Sequence, residues 1–295
     1  MTALTRIFFG GSRPARLIGV AVLLAAEAVA GQTAVPSPNQ PQDRFASVNG
    51  VRLHYIDWGG SGPALLFLTG LGDSAHAFDF LAPLFADRFH VLGLTRRGQA
   101  ESDKPRSGYD PRSLANDIRA FIDGLKIGRV TLVGFSAAGS EQTMFAGLYP
   151  NRVAKLVYLD AADDYKSGYE LATNPRTRYP LPLPEPGGPP GEIMKAARQA
   201  DPDYTKITAP ALAFFVIYDA PYIPADADAE LRTRIVTRWN DYGNPFQRHK
   251  IDHLRRDMKT VRIIELHGRD HGDFVRDQEF QRYVAGEMRR FLLEE

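Results

Sequence analysis

Apolar and polar positions alternate over residues 51–59 (VRLHYIDWG), the two-residue period of a strand with one face in a core. Six other segments are short, nearly unbroken apolar runs. They are residues 64–70 (ALLFLTG), 90–95 (HVLGLT), 130–135 (VTLVGF), 154–160 (AKLVYLD), 210–218 (PALAFFVIY) and 261–266 (VRIIEL). Such runs suit strands covered on both faces. Between them the period lengthens. Leu114, Ile118, Phe121, Ile122 and Leu125 predict a helix over residues 114–127, and residues 140–150 predict a second, stopped by Pro150. Helical material over residues 226–258 is expected to break at Gly243–Pro245. Phe280, Tyr283, Val284, Met288, Phe291 and Leu292 mark an amphipathic closing helix over residues 277–294. Strands alternating with helices predict an α/β fold, with a mostly parallel central sheet and helices on both faces.

The alternation fails over residues 161–209. Seven prolines fall between positions 175 and 190, too many for a strand or a long helix, though residues 192–200 (EIMKAARQA) can form one helix. A segment of this length between two strands is expected to be a short proline-rich lid insertion, with a surface loop as the alternative.

The start of the chain is also distinct. Arg6, Arg13 and Arg16 precede the apolar run 17–26 (LIGVAVLLAA), and Ala28 and Ala30 make a small-x-small site. This is the layout of a signal peptide over residues 1–30. The run is shorter than the ~20 residues of a membrane span. Residues 31–44 (GQTAVPSPNQPQDR) read as a flexible linker. The folded domain is expected over residues 45–295, exported to the periplasm or secreted, with no membrane attachment after cleavage.

Composition narrows the function. The net charge is +1, and loss of residues 1–30, which carry three Arg and one Glu, leaves −1 (+1 minus +2). Neither form has the basic balance of a nucleic-acid partner. The chain has no cysteine, which excludes disulfides, zinc–thiolate sites and cysteine nucleophiles.

Residues 133–139 (VGFSAAG) set Ser136 between a buried-strand pattern and a helical one. A serine hydroxyl is a poor nucleophile unless a base, an acid behind that base and donors for an oxyanion surround it. Gly134 and Gly139 flank the serine, and Ala138 stands where G-x-S-x-G has its second glycine. Ser136 is therefore either a nucleophile on a sharp strand-to-helix turn or a helix N-cap. A base is expected from a loop after the last strand. His271, in GRDHGDF, lies further into that loop than His267 at the strand end and is preferred. His54, His76, His90, His249 and His253 read as structural. The oxyanion donors are expected to be the backbone N–H groups of Ala137 and of Leu71, in TGLGDS.

With these parts in this order, the chain resembles α/β-hydrolase-fold proteins over essentially all of residues 45–295. The resemblance rests on LLFLTGLGDSAHAF, GLTRRGQAESD, VGFSAAG, YPNRVAKLVYLDAA and GRDHGDF. It implies a serine hydrolase with a Ser-His-Asp triad, cleaving an ester or related acyl bond of a small organic substrate through an acyl-enzyme. It implies neither cofactor nor metal. The family places its acid after either of two strands, so Asp160 and Asp219 are both candidates, with Asp160 preferred. The same triad serves C–C hydrolases, peptidases acting at a substrate N-terminus and perhydrolases, and a binding or receptor protein can keep the pocket without turnover. Epoxide hydrolases and dehalogenases carry Asp where Ser136 stands. Many members have His before the nucleophile, His-Gly in the oxyanion loop and Asp at position 95. Here these are Phe135, Thr69-Gly70 and Thr95, differences that bear on substrate preference. The sequence carries no signal for an oligomeric state.

Overall fold

Eight strands form one sheet in the order β1-β2-β4-β3-β5-β6-β7-β8. They are β1 (Gln42–Val48), β2 (Val51–Gly59), β3 (Ala64–Leu68), β4 (His90–Leu94), β5 (Val130–Phe135), β6 (Val153–Leu159), β7 (Ala211–Ile217) and β8 (Val261–His267). In this computed structural model, β2 runs antiparallel to both β1 and β4, and every pairing from β4 to β8 is parallel. The structure describes residues 41–162, 165–168, 187–200 and 202–294, all within the unit Ser37–Glu295. The expected signal peptide, residues 31–40 of the linker and residues 169–186 of the insertion lie outside the described residues. None of the described helices is long and apolar enough to cross a membrane.

The expected linker reaches too far. Residues 42–44 belong to β1, paired with β2 from Gln42↔Asp57 to Val48↔Val51. Most of β1 faces solvent, so its polar sequence hides it. The local signal is Asn49-Gly50, both at positive φ (49° and 77°), the turn that joins a tight hairpin with the right twist.

Central strands feed two cores through the alternation of their side chains. Leu66, Leu68 and Leu132 point to one face, against Ile118 and Phe121 of helix α1 (Pro111–Gly124) and Phe145 of α2 (Ala138–Leu148). Leu65, Phe67, Val133 and Phe135 point to the other, against Val284 and Met288 of the closing helix Gln278–Leu293. Fully buried β3 and β5 therefore need apolar residues at every position.

In the insertion, helix α3 (Gly188–Ala197) starts four residues before the expected 192. Pro189 and Pro190 occupy its first turn, where a missing N–H costs nothing. Its Ile193 packs with Tyr109 and Leu114, and Leu71 lies against the same cluster. The expected break at Gly243–Pro245 is a π-turn, Trp239–Gly243, that runs straight into the helix Asn244–Asp257.

Candidate active site

Buried β5 ends at Phe135, and the chain turns at once into α2. Ser136 makes the turn with φ 54°, a left-handed conformation that costs a non-glycine residue energy and persists where the surroundings enforce it. Its N–H donates to the Leu159 carbonyl at the end of β6 (3.2 Å), and its carbonyl accepts the Gly139 N–H (3.0 Å). No side chain caps α2, whose N-cap position is Ala137 and not Ser136. The flanking glycines are needed for space. A Cβ on Gly139 would stand 1.6 Å from the Ala161 carbonyl oxygen, and one on Gly134 2.4 Å from the Gln142 side chain. Ala138 is the first residue of α2 and is not at positive φ, so the methyl group there carries no backbone penalty.

Across the sheet edge, β6 ends in a second left-handed residue, Asp160 (φ 47°). Its N–H donates to the Phe214 carbonyl of β7. One carboxylate oxygen, Oδ1, accepts the Val216 N–H at 3.2 Å, and the other, Oδ2, stands 2.6 Å from His271 Nδ1. The carboxylate is thus fixed on both oxygens and nearly buried. His271 sits in the loop after β8, with its N–H bonded to the Tyr218 hydroxyl and its ring stacked on Phe135 (centroids 4.8 Å, planes 25° apart). The structure brings His271 to Asp160. The alternative acid, Asp219, instead bonds His267 Nδ1 at 2.9 Å, and both members of that pair are exposed. Asp219 follows the end of β7 on the solvent side, where His267 at the end of β8 is its neighbour.

Ser136 and His271 line one cleft of about 490 Å³, together with Leu71, Phe135 and Val275. Among the described residues, neither the Leu71 nor the Ala137 N–H has an intramolecular acceptor. Ala137 also stands at the positive end of α2.

A buried ion pair holds the Leu71 segment from behind. Arg96 and Glu141 are joined through Nε–Oε2 (2.6 Å) and Nη2–Oε1 (3.1 Å). Arg96 also donates to the carbonyls of Thr69 (2.9 Å) and Gly70 (3.4 Å). Gln99, with its amide oriented to suit its neighbours, adds a donor to Gly70 at 3.1 Å. A trans peptide points its N–H opposite to its carbonyl. Pinning the Gly70 carbonyl toward Arg96 therefore turns the Leu71 N–H the other way. Sequence reading misses this pair, since Glu141 lies 45 residues from Arg96 on another element. Arg96→Met strands a buried carboxylate and is expected to cost about 3–5 kcal/mol of stability. It should also lower kcat up to about 10²-fold by loosening the loop. The double variant Arg96→Met/Glu141→Leu should regain most of the stability, read by denaturant unfolding, without regaining kcat.

Asp73 lines the same cleft and is half-buried. Burial holds its carboxyl above the ordinary 3.8, with Arg96, His271 and Arg276 pulling the other way. The folded protein then binds this proton more tightly than the unfolded chain. The group's contribution to stability is full below pH 3.8 and is lost as pH rises through the folded value. Asp73→Asn should accordingly raise Tm at neutral pH, with a gain that shrinks as pH falls toward 4.

Known proteins share this architecture. The profile of the alpha/beta hydrolase fold family matches residues 63–213, just over half of the 295. An uncharacterized protein of Mycobacterium tuberculosis is 34% identical over 154 residues, which are 49% of this chain and 45% of that protein. A soluble epoxide hydrolase of Corynebacterium sp. strain C12 is 36% identical over 117 residues, 39% of this chain and 40% of the relative. The matched stretches thus span less than half the length of these relatives. A solved epoxide hydrolase variant from Bacillus megaterium superposes with a TM-score of 0.63 at 20% identity, covering 85% of this chain and all of the other. A carboxylesterase of Bacillus subtilis gives 0.59 at 16% identity, covering 87% and 93%. The chain belongs to the α/β hydrolase fold family.

Proposed function

We propose that the protein is a serine hydrolase that cleaves an ester or related acyl bond of a small organic substrate through an acyl-enzyme. The observation that carries this reading is the 2.6 Å contact of Asp160 Oδ2 with His271 Nδ1, beside the cleft that His271 shares with a left-handed Ser136. A carboxylate at Nδ1 selects the tautomer with its proton there and leaves Nε2 as the base. Ser136 Oγ attacks the acyl carbon as His271 Nε2 takes its proton. The N–H groups of Leu71 and Ala137 receive the oxyanion. His271 returns the proton to the leaving alcohol, and water then repeats the sequence on the acyl-enzyme.

The presence of Ser136 separates this reading from epoxide hydrolysis, the activity named for the Corynebacterium relative, and from dehalogenation, because in this family those chemistries use Asp at the nucleophile. Leu71, Ala77, Phe135 and Val275 line the cleft and suit an apolar acyl group of modest size. The reading also takes residues 1–30 as an export signal and the protein as periplasmic or secreted. A panel of p-nitrophenyl esters of increasing chain length, run beside amide, epoxide and haloacid substrates, tests it. Turnover of short or medium esters is expected. Turnover of the epoxide or haloacid alone would refute the proposed chemistry.

A further inference from the structure

A second group of chemistry-bearing side chains lies where β1, β2 and the segment after β3 meet. Asp43 of β1, His54 of β2 and His76 of the turn Ala75–Phe78 each direct one atom to a common point. His54 Nε2 and His76 Nε2 stand 2.8 and 3.0 Å from the same oxygen, Asp43 Oδ1. The three atoms lie within 4.8 Å of one another, the single such trio of His, Asp or Glu among the described residues. The two rings stack with centroids 5.7 Å apart.

Each ring is also held from behind. His54 Nδ1 meets Thr95 Oγ1 at 2.8 Å, with Glu101 Oε2 3.6 Å away, and His76 Nδ1 meets Asp79 Oδ2 at 2.9 Å. A ligating imidazole is oriented in this way, through its other nitrogen, by an oxygen acceptor. The hydrogen-bond inventory of His76 points in the same direction. It faces a carboxylate at both nitrogens, so the ring either carries a second proton or meets a cation at one of them. A cation between Nε2 and Asp43 satisfies the second contact. The exposed pair His267–Asp219 offers only two groups and no such support.

We propose that Asp43, His54 and His76 form a three-ligand site for a divalent transition metal ion, with Zn²⁺ as the best match. Two imidazoles and one carboxylate without thiolate suit a borderline ion such as Zn²⁺ over Ca²⁺ or Mg²⁺. Asp43 and His76 are exposed, so the ion has an open route in and both side chains have room to adjust around it. His54 is buried and fixes the position. The ion would clamp the solvent-facing edge strand β1 to the sheet. It would also brace the segment that follows the Leu71 loop, because Thr95 Oγ1, which holds His54, accepts the Ala75 N–H at 2.9 Å.

The test uses tag-free protein stripped with a chelator and titrated with Zn²⁺ in a calorimeter, with Co²⁺ as a spectroscopic probe. One stoichiometric equivalent is expected in the wild type. Affinity should fall about tenfold or more in Asp43→Asn and in His76→Ala, and stay unchanged in His271→Ala, which removes the imidazole of the Ser136 cleft. Visible Co²⁺ bands should appear in the wild type and vanish in His76→Ala. Both substituted ligands are exposed, so the far-UV circular dichroism of each variant should match the wild type. Absence of stoichiometric binding overturns the proposal, as does binding that survives both ligand variants or that is lost only in His271→Ala.

Discussion

Ser136→Ala is expected to remove turnover of any ester the wild type cleaves, with kcat lower by about 10⁶-fold. The effect should fall on kcat, since the pocket walls and the Leu71 and Ala137 N–H groups are untouched. Alanine accepts the same left-handed backbone at a similar cost, so the fold should persist. The substitution also separates the two readings of this serine. Loss of a helix N-cap would lower stability by about 1 kcal/mol and leave activity intact. The structure already bears against that role, because α2 begins with Ala137 at its N-cap and no side-chain cap. Kinetics over a wide range of enzyme concentration, together with a denaturant curve, check both halves of the expectation.

Asp160→Asn carries the second large effect. The amide fills the same volume and can keep the bond from the Val216 N–H to Oδ1. It cannot keep an anion beside His271 Nδ1. Selection of the base tautomer is lost, and so is stabilisation of the imidazolium that forms as the serine proton moves. By analogy with the same change in serine proteases, kcat should drop about 10⁴-fold. Asp219→Asn should leave kcat within about twofold of the wild type, because its carboxylate serves only the exposed His267, where ion pairs contribute little. Equal loss in both variants, or loss only in Asp219→Asn, would reverse the assignment.

The two acids show what the chain reveals by itself and what needs three dimensions. Each follows an apolar run at the end of a parallel strand, and local pattern treats them alike. What separates them is which carboxylate the sheet edge and the loop after β8 bring to His271, a contact across 111 residues. The buried strands were legible because burial on both faces demands apolar side chains throughout. The same rule hid β1, whose residues mostly face water, although Asn49-Gly50 announced its hairpin. Gly134 and Gly139 mark the close packing of the elbow, whereas the left-handed backbone falls on Ser136 itself and leaves Ala138 unstrained. The Arg96–Glu141 pair and the stacking of Phe135 on His271 were out of reach, since neither leaves a local periodicity. Arg96 was visible only as one letter of TRRG at the end of a buried strand.

Everything proposed for the cleft depends on Ser136 being an activated nucleophile. The most direct measurement is reaction of the folded protein with a fluorophosphonate probe, followed by mass spectrometry of the proteolysed adduct. One adduct per chain is expected on the peptide that contains Ser136, and none in Ser136→Ala. A folded wild-type protein that takes up no probe, or takes it up at another residue, would contradict it.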